Sequence, residues 1–394
     1  MNKNILTDEV QDYLRENEKA DLTRLILSGS PFTDIPISII AEQIEGLCKA
    51  KTKLPRWYKT PFIYFPPKLN LEQTSSEATA FYKATLVSGT NLCDLTAGFG
   101  IDSYFFSKHF NQVISCELNA DLAEIAIHNN KILDAKNITV HKGDGMEYLN
   151  ESDLNFYTIY ADPSRRNDAK GKVFMLKDCE PNIPENLDLL FQKTDTILIK
   201  TSPLLDISSG LNELKKVAAI HIVAVKNEVK ELLWLLKKNT DNSNLEITTV
   251  NLQNDTHENT SVNYSSALSA QAVFSDPLQY LYEPNAALLK SGLFDWIGAN
   301  FNLYKLHTNS HLYTSDQLIE FPGRRFKILE VLPYSKKVIS RKWGNQKANI
   351  TTRNFKESVE QIRKKFKIKD GGESYLLFTT NTKNEAVVIN CEKV

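Results

Sequence analysis

The stretch 91–117, NLCDLTAGFGIDSYFFSKHFNQVISCE, decides how the whole chain is read. A short apolar run ends in Asp94. Small residues and two glycines follow (Thr96, Ala97, Gly98, Gly100), then an aromatic-rich run through Phe110, and a second apolar run closes on Glu117. This order predicts a strand, a glycine turn, a helix and a second strand, with an acid at the tip of each strand. Glycines at 98 and 100 let a ligand lie against bare backbone, which a Cβ would block. Glu117 stands 23 residues after Asp94, where a nucleotide-binding βαβ unit carries the acid that accepts hydrogen bonds from ribose hydroxyls. A dinucleotide loop would need a third glycine near position 103, which is Ser103, and a phosphate loop would need GK[ST] after the glycines. The pattern therefore points to a nucleoside-like ligand without a pyrophosphate.

Outward from this stretch the chain alternates strand and helix. Strands are expected at 91–95, 113–117, 138–141, 157–161, 196–200, 218–226 and 245–252. Helices are expected at 101–108, 120–133, 185–192 and 229–238, and 254–260 reads as an exposed turn. Such alternation builds a parallel sheet with right-handed crossovers, and ligands collect at the carboxyl ends of its strands. Asp94, Glu117, Asp144 and Asp162 all fall at such ends.

The 394 residues suffice for two or three domains. Net charge is −1, but 321–369 holds 15 Lys or Arg against 3 Glu, a net of +12. That segment carries Phe326, Trp343, Phe355 and Phe366 among its cations, which suits stacking on unpaired bases or, equally, a small core. Five cysteines show no CxxC pairing, which argues for a reducing compartment and no metal cluster. His307 and His311 are four apart without an evident third ligand, so no metal is expected. The N-terminus MNKNILTDEVQDYLREN is polar and acidic, unlike a signal peptide, and no apolar run approaches a membrane span; the expectation is a cytoplasmic protein without a membrane partner.

Residues 1–65 read as a helical N-terminal domain, in which KTKLPRWYKTP (51–61) is either a basic, aromatic contact surface or a connector with buried rings. At 73–77, QTSSE has the look of a helix start that turns Ala80, Phe81 and Ala84 inward. Residues 66–274 form the core. Residues 275–394 form an α+β module with one amphipathic helix at 286–294, a basic helix near 355–369 and a closing hairpin.

DLTAGFGID, followed by an acid at the end of the next strand, resembles the class I S-adenosylmethionine-dependent methyltransferases. The pieces YEPNAALLKSG, FPGRRFKI, TTRNF and KDGGESYLLF resemble the THUMP-like domains attached to some bacterial methyltransferases. The resemblance implies an α/β fold: a Rossmann-like, seven-stranded methyltransferase core with an N-terminal helical domain and a small α+β C-terminal module. It implies S-adenosyl-L-methionine held by Asp94, Thr96, Ala97, Gly98, Gly100, Glu117 and Leu118, with Asp144 and Gly145 near the adenine. Gln73 and Thr74 would face the methionine end, and Asp162 would border both cofactor and acceptor.

In the same family a motif [N/D]-P-P-[Y/F/W] follows the fourth strand of enzymes that methylate base amino groups. Here it reads Asp162-Pro163-Ser164-Arg165-Arg166, so Asp162 and Pro163 fit as catalytic residues and the stacking aromatic is replaced by arginine. Arg165, Arg166 and Lys200, at the mouth of the same cleft, suit an anionic substrate. Cys179 lacks the context of a cysteine nucleophile. The reading is a methyltransferase acting on a base of structured RNA, tRNA or rRNA. Two alternatives stay open: an RNA-binding protein with a degenerate core, and a methyltransferase of a protein or small molecule.

Overall fold

The computed structural model describes residues 1–165, 175–253 and 257–394. They form two compact units, Met1–Ala218 with Glu231–Asn242, and Ala219–Lys230 with Ser243–Val394. Among the described residues no helix is long and apolar enough to cross a membrane.

The first unit begins with helices α1 (Asp8–Glu16), α2 (Leu22–Ser28), α3 (Ile37–Lys53) and α4 (Pro55–Lys59). In α3 the buried Ile40, Ile44 and Leu47 recur at helical spacing and make one apolar stripe. Pro55 starts α4 without losing a hydrogen bond. Trp57 is fully buried, with its ring 5.0 Å from that of Tyr104, so this ring of 51–61 is core, while Tyr58 is half-buried. Two short helices follow, α5 (Lys68–Gln73) and α6 (Glu77–Ala84), the latter capped by Ser76. Ala80 and Ala84 point inward as expected, but Phe81 is exposed; it lies one position past Ala80, off the buried stripe.

The alternating part runs β1 (Gly89–Asp94), α7 (Ile101–Phe106), β2 (Phe110–Glu117), α8 (Ala120–Ile132), β3 (Ile138–Lys142), α9 (Gly145–Glu151) and β4 (Thr158–Ala161). Then come the two-residue strands β5 (Ser164–Arg165) and β6 (Cys179–Glu180), α10 (Ile183–Lys193), β7 (Thr196–Thr201) and α11 (Ile207–Glu213). The chain turns from β8 (Val217–Val225) through Lys226 and Asn227 into β9 (Glu228–Lys237). In this unit the strands lie in the order β9-β7-β4-β1-β2-β3; β9 is antiparallel to β7 and the other neighbours are parallel. The sheet places the carboxyl ends of β1, β2, β4 and β7 along one edge.

The helix expected at 229–238 is thus a strand. Lys226 and Asn227 both take positive φ, 51° and 63°, the geometry of a two-residue hairpin turn. The turn sends the chain straight back as a strand, and burial of Leu232, Leu233, Trp234 and Leu236 fixes it there. An uninterrupted apolar run is ambiguous between buried strand and helix.

The second unit holds β8, β10 (Glu246–Leu252) and β11 (His257–Asn263), with β10 parallel to β8 and antiparallel to β11. The expected turn at 254–260 is corrected over 257–260, which is strand; 254–256 lie outside the described residues. Next come α12 (Tyr264–Leu268), β12 (Tyr280–Pro284), α13 (Ala286–Ser291) and α14 (Phe294–Asn300). The single helix expected at 286–294 is divided by Gly292, whose φ of 72° caps α13.

The unit closes with β13 (Tyr304–Lys305), β14 (Tyr313–Ser315), β15 (Gly323–Pro333), α15 (Lys336–Trp343), β16 (Asn349–Thr352), α16 (Val359–Phe366), β17 (Tyr375–Thr380) and β18 (Ala386–Lys393). Its second sheet has the order β13-β14-β12-β15-β18-β17-β16. Ile339, Trp343, Ile362 and Phe366 seal α15 and α16 into one core. Phe326, Trp343 and Phe366 are buried and Phe355 packs against that core. Phe326, Trp343 and Phe366 are therefore unavailable as stacking platforms, while Phe355 is half-buried; apolar area among the cations is what lets two basic helices fold.

Candidate active site

The glycine loop is held from beneath by Asp94, whose side chain is fully buried at the end of β1. Its Oδ1 accepts the Thr96 N–H at 3.0 Å and its Oδ2 accepts the Ser103 hydroxyl at 2.5 Å. Ser103, where a dinucleotide loop would carry glycine, thus anchors the loop's acid. Burial pushes the Asp94 carboxyl up to about 7, with these two donors acting the other way.

Gly98 and Gly100 adopt φ of 58° and 84°, a conformation only glycine takes cheaply. Among the described residues nothing lies within 4 Å of a Cβ built on Gly98, so the loop's face there is bare of them. The Ala97 N–H donates to the Cys116 carbonyl at 2.9 Å, and the Gly98 N–H donates to Glu117 Oε2 at 2.8 Å. Glu117 Oε1 accepts the Asn119 N–H at 2.7 Å. The acid at the tip of β2 therefore fastens the loop and lies beside its open face. Leu118, next along, is 74 % exposed.

Asp144 caps α9, its Oδ1 accepting the N–H groups of Met146 at 2.7 Å and Glu147 at 3.0 Å. A Cβ on Gly145 would lie 2.4 Å from the Leu95 carbonyl, so glycine is required there by the backbone of the loop. Gln73 ends α5 and Thr74 caps it, rather than opening the next helix.

Asp162 follows β4. Its N–H donates to the Thr96 hydroxyl at 2.7 Å, coupling it to the glycine loop, and Pro163 behind it is buried. Its carboxylate is ion-paired with Lys200, at the end of β7. Ser164 and Arg165 pair with β6 as Ser164↔Glu180 and Arg165↔Cys179. Arg166 lies outside the described residues. Burial pushes the Cys179 thiol up to about 11, which leaves it protonated at neutral pH.

Behind Asp162 lies a cluster that motif reading missed. Lys83, on α6, is wholly buried, and its Nζ donates to Asp102 Oδ1 at 2.9 Å and Ser75 Oγ at 2.9 Å. Asp102 Oδ2 accepts the Ser75 and Tyr160 hydroxyls, each at 2.9 Å. Glu231, on β9, is 3.5 Å from Lys83 through Oε2, while its buried Oε1 has no hydrogen-bond partner among the described residues. Burial raises the Glu231 carboxyl. Burial would also raise Asp102, but Lys83 and Lys200 hold it below its ordinary value. Burial opposes the charge on Lys200, yet Asp162, Glu231 and Asp102 outweigh it and keep the ammonium well above its usual range. Asp102 sits inside the motif-bearing stretch and could have been suspected. Lys83 and Glu231 carry no local signal.

A parallel sheet with a glycine loop, flanking strand-end acids and a charged cluster at the neighbouring strand ends is the architecture of the class I methyltransferase fold. Comparisons with known proteins bear on the whole chain. A crystal structure of a methyltransferase candidate from Porphyromonas gingivalis W83 is 34% identical, with a TM-score of 0.89, covering 100% of this chain and 98% of that one. A ferredoxin-like domain model matches 280–322 and a THUMP domain-like model matches 323–393. The chain belongs to this family of methyltransferases with a THUMP-like C-terminal domain.

Two more distant structures are TrmK of M. capricolum in complex with S-adenosyl-homocysteine and the M. jannaschii tRNA m1G37 methyltransferase. They are 16% and 14% identical, cover 41% and 43% of this chain and 69% and 51% of theirs, and both have TM-scores of 0.31. At that level they carry no argument. Comparison with curated proteins gave no match.

Proposed function

We propose that this protein is an S-adenosyl-L-methionine-dependent methyltransferase of structured RNA, a tRNA or an rRNA. The observation that carries the cofactor reading is the open face of Gly98 beside the Glu117 carboxylate. A ligand with a ribose fits there: each carboxylate oxygen of Glu117 already accepts one backbone N–H and keeps a lone pair for a hydroxyl. Gly98 and Gly100 offer bare backbone to the methionine part, with Thr96 and Ala97 in the same loop, while Leu118 offers an apolar side chain to the adenine. Asp144, capping α9 through one oxygen, has a second for the adenine amino group. Gln73 and Thr74 complete this set. When bound, the cofactor supplies an electrophilic methyl group on a sulfonium. Asp162, with Pro163 beside it, positions the acceptor; its backbone is tied to Thr96 and its carboxylate to Lys200, so little freedom is left to lose. Arg165 and Arg166 are assigned to the substrate.

The RNA reading rests on the C-terminal region. Of the 15 cations in 321–369, eight (Lys336, Lys337, Arg341, Lys347, Lys356, Lys364, Lys367 and Lys369) are exposed and in no ion pair among the described residues. Five of them lie on or next to α15 and α16, beyond the buried apolar faces of those helices. A surface of that kind contacts phosphates. Residues 66–274 are assigned the chemistry, 275–394 the hold on RNA, and 1–65 a helical N-terminal domain. The buried ionic cluster argues against a degenerate core, because desolvating several charges costs stability that a lapsed site gains nothing by bearing.

Calorimetry with S-adenosyl-L-methionine tests the cofactor: wild type binds it, and Glu117→Ala binds at least about 10-fold more weakly. Absence of binding by wild type contradicts the proposal. RNA retention that falls steeply and linearly in log salt supports the partner, and salt-independent retention contradicts it.

A further inference from the structure

We propose that the atom methylated is a hydroxyl oxygen, and in RNA the ribose 2′-hydroxyl, because the aspartate that would meet the acceptor is ion-paired with Lys200, and a buried Lys83–Glu231 pair lies further inside. This rests on the reading of Asp162 as the residue that meets the acceptor.

The four side chains form a graded series from interior to surface. Lys83 is 0% exposed, Glu231 3%, Lys200 14% and Asp162 32%. They come from α6, β9, β7 and the end of β4, so the grouping is a property of the fold and not of one loop. Lys200 joins the two halves: it is paired with Asp162 in front, and its charge is sustained by Glu231 and Asp102 behind.

The two possible acceptors make opposite demands. A base amino group must donate both its hydrogens to neutral or anionic acceptors so that its lone pair points at the methyl group; an ammonium beside it competes for that lone pair. A hydroxyl has lone pairs to spare but must shed its proton as the bond forms, and a fixed cation beside the developing alkoxide stabilises it. A charged lysine bound to the catalytic aspartate therefore serves an oxygen and hinders an amino nitrogen. The replacement of the second proline and the aromatic by Ser164 and Arg165 agrees, since no base needs to be clamped by ring stacking. RNA offers one such hydroxyl on every internal nucleotide.

The step balances without a further reactant. The hydroxyl proton passes to the Asp162 carboxylate as the oxygen forms its bond to the methyl carbon. The carbon–sulfur bond of the sulfonium breaks and its electron pair stays on sulfur, leaving a neutral thioether. Asp162 then returns the proton to water. Lys200 keeps its proton throughout and acts as a fixed charge; Lys83 and Glu231 are positioning residues behind it.

The test is the alkaline hydrolysis of RNA labelled from methyl-labelled S-adenosyl-L-methionine by the full-length protein. A 2′-O-methyl group blocks cleavage at its own linkage, so the proposal predicts label in alkali-resistant dinucleotides. Label in mononucleotides overturns it and leaves the methyltransferase reading standing. Absence of label from RNA, with cofactor binding intact, overturns the underlying reading and this inference together. Lys200→Met is expected to lower kcat about 10²- to 10³-fold with cofactor affinity by calorimetry unchanged, and Lys200→Arg to recover part of that loss. A Lys200→Met protein of unchanged kcat contradicts the proposal, and so does a Lys200→Arg protein no more active than Lys200→Met.

Discussion

The ammonium of Lys83 lies 2.9 Å from Asp102 Oδ1, and no part of the lysine side chain reaches solvent. The pair ties α6, which precedes the sheet, to α7, which begins at the glycine loop. Truncating one partner strands the other as an uncompensated buried charge. Lys83→Met is therefore expected to lower unfolding stability by about 3–5 kcal/mol, and Lys83→Met combined with Asp102→Asn to lower it less. Denaturant midpoints of the two variants and wild type measure this; a double variant that loses as much as Lys83→Met, or more, would contradict the stranded-charge account.

Asp94 gives the chain a particular pH dependence. Its carboxyl titrates near 7 when folded, against 3.8 for an ordinary aspartate. The folded state thus holds a proton that the unfolded state gives up, and the stability this represents is complete below about pH 4 and lost progressively as pH rises to about 7. Asp94→Asn cannot ionise, so stability relative to wild type should shift in its favour over that window and level off above it. Urea midpoints of both proteins at closely spaced pH values test the sign; a difference that is flat across pH 4–7 would contradict it.

Gly98 and Gly145 are both glycines, for different reasons. At Gly98 the obstacle to a side chain is the positive φ alone, at Gly145 the Leu95 carbonyl at 2.4 Å. Gly98→Ala should lower stability by about 1–2 kcal/mol and weaken cofactor binding beyond that. Gly145→Ala forces the loop backbone to move and should cost about 1–3 kcal/mol or more. Thermal unfolding with and without S-adenosyl-L-methionine separates the two: the cofactor's stabilising shift should shrink more in Gly98→Ala than the change in bare stability requires.

The placement of the candidate site's acids was legible because strand ends are readable from apolar runs. Asp94, Glu117, Asp144 and Asp162 end apolar runs, and strand ends are where a parallel sheet gathers its ligands. Lys83 was not legible. In FYKAT it reads as the solvent face of a short helix, and its burial is made tolerable by Ser75, by Asp102, 19 residues on, and by Glu231, in a distant strand. Glu231 was hidden by the same segment that misled the fold: KELLWLLKK fits a helix as well as a buried strand, and the deciding feature is the positive φ of Lys226 and Asn227, which neither residue type demands. The basic segment was legible as charge. Which of its aromatics are core depends on how α15 meets α16, a pairing of residues some twenty positions apart that no local pattern encodes.

The most direct test of the central claim is transfer of labelled methyl groups from S-adenosyl-L-methionine to RNA from cells lacking this protein, with Asp162→Ala alongside. The account predicts label in RNA with wild type, and with Asp162→Ala intact cofactor binding but a rate lower by about 10² or more. Equal labelling by the two proteins, or none by a wild type that binds the cofactor, would contradict it.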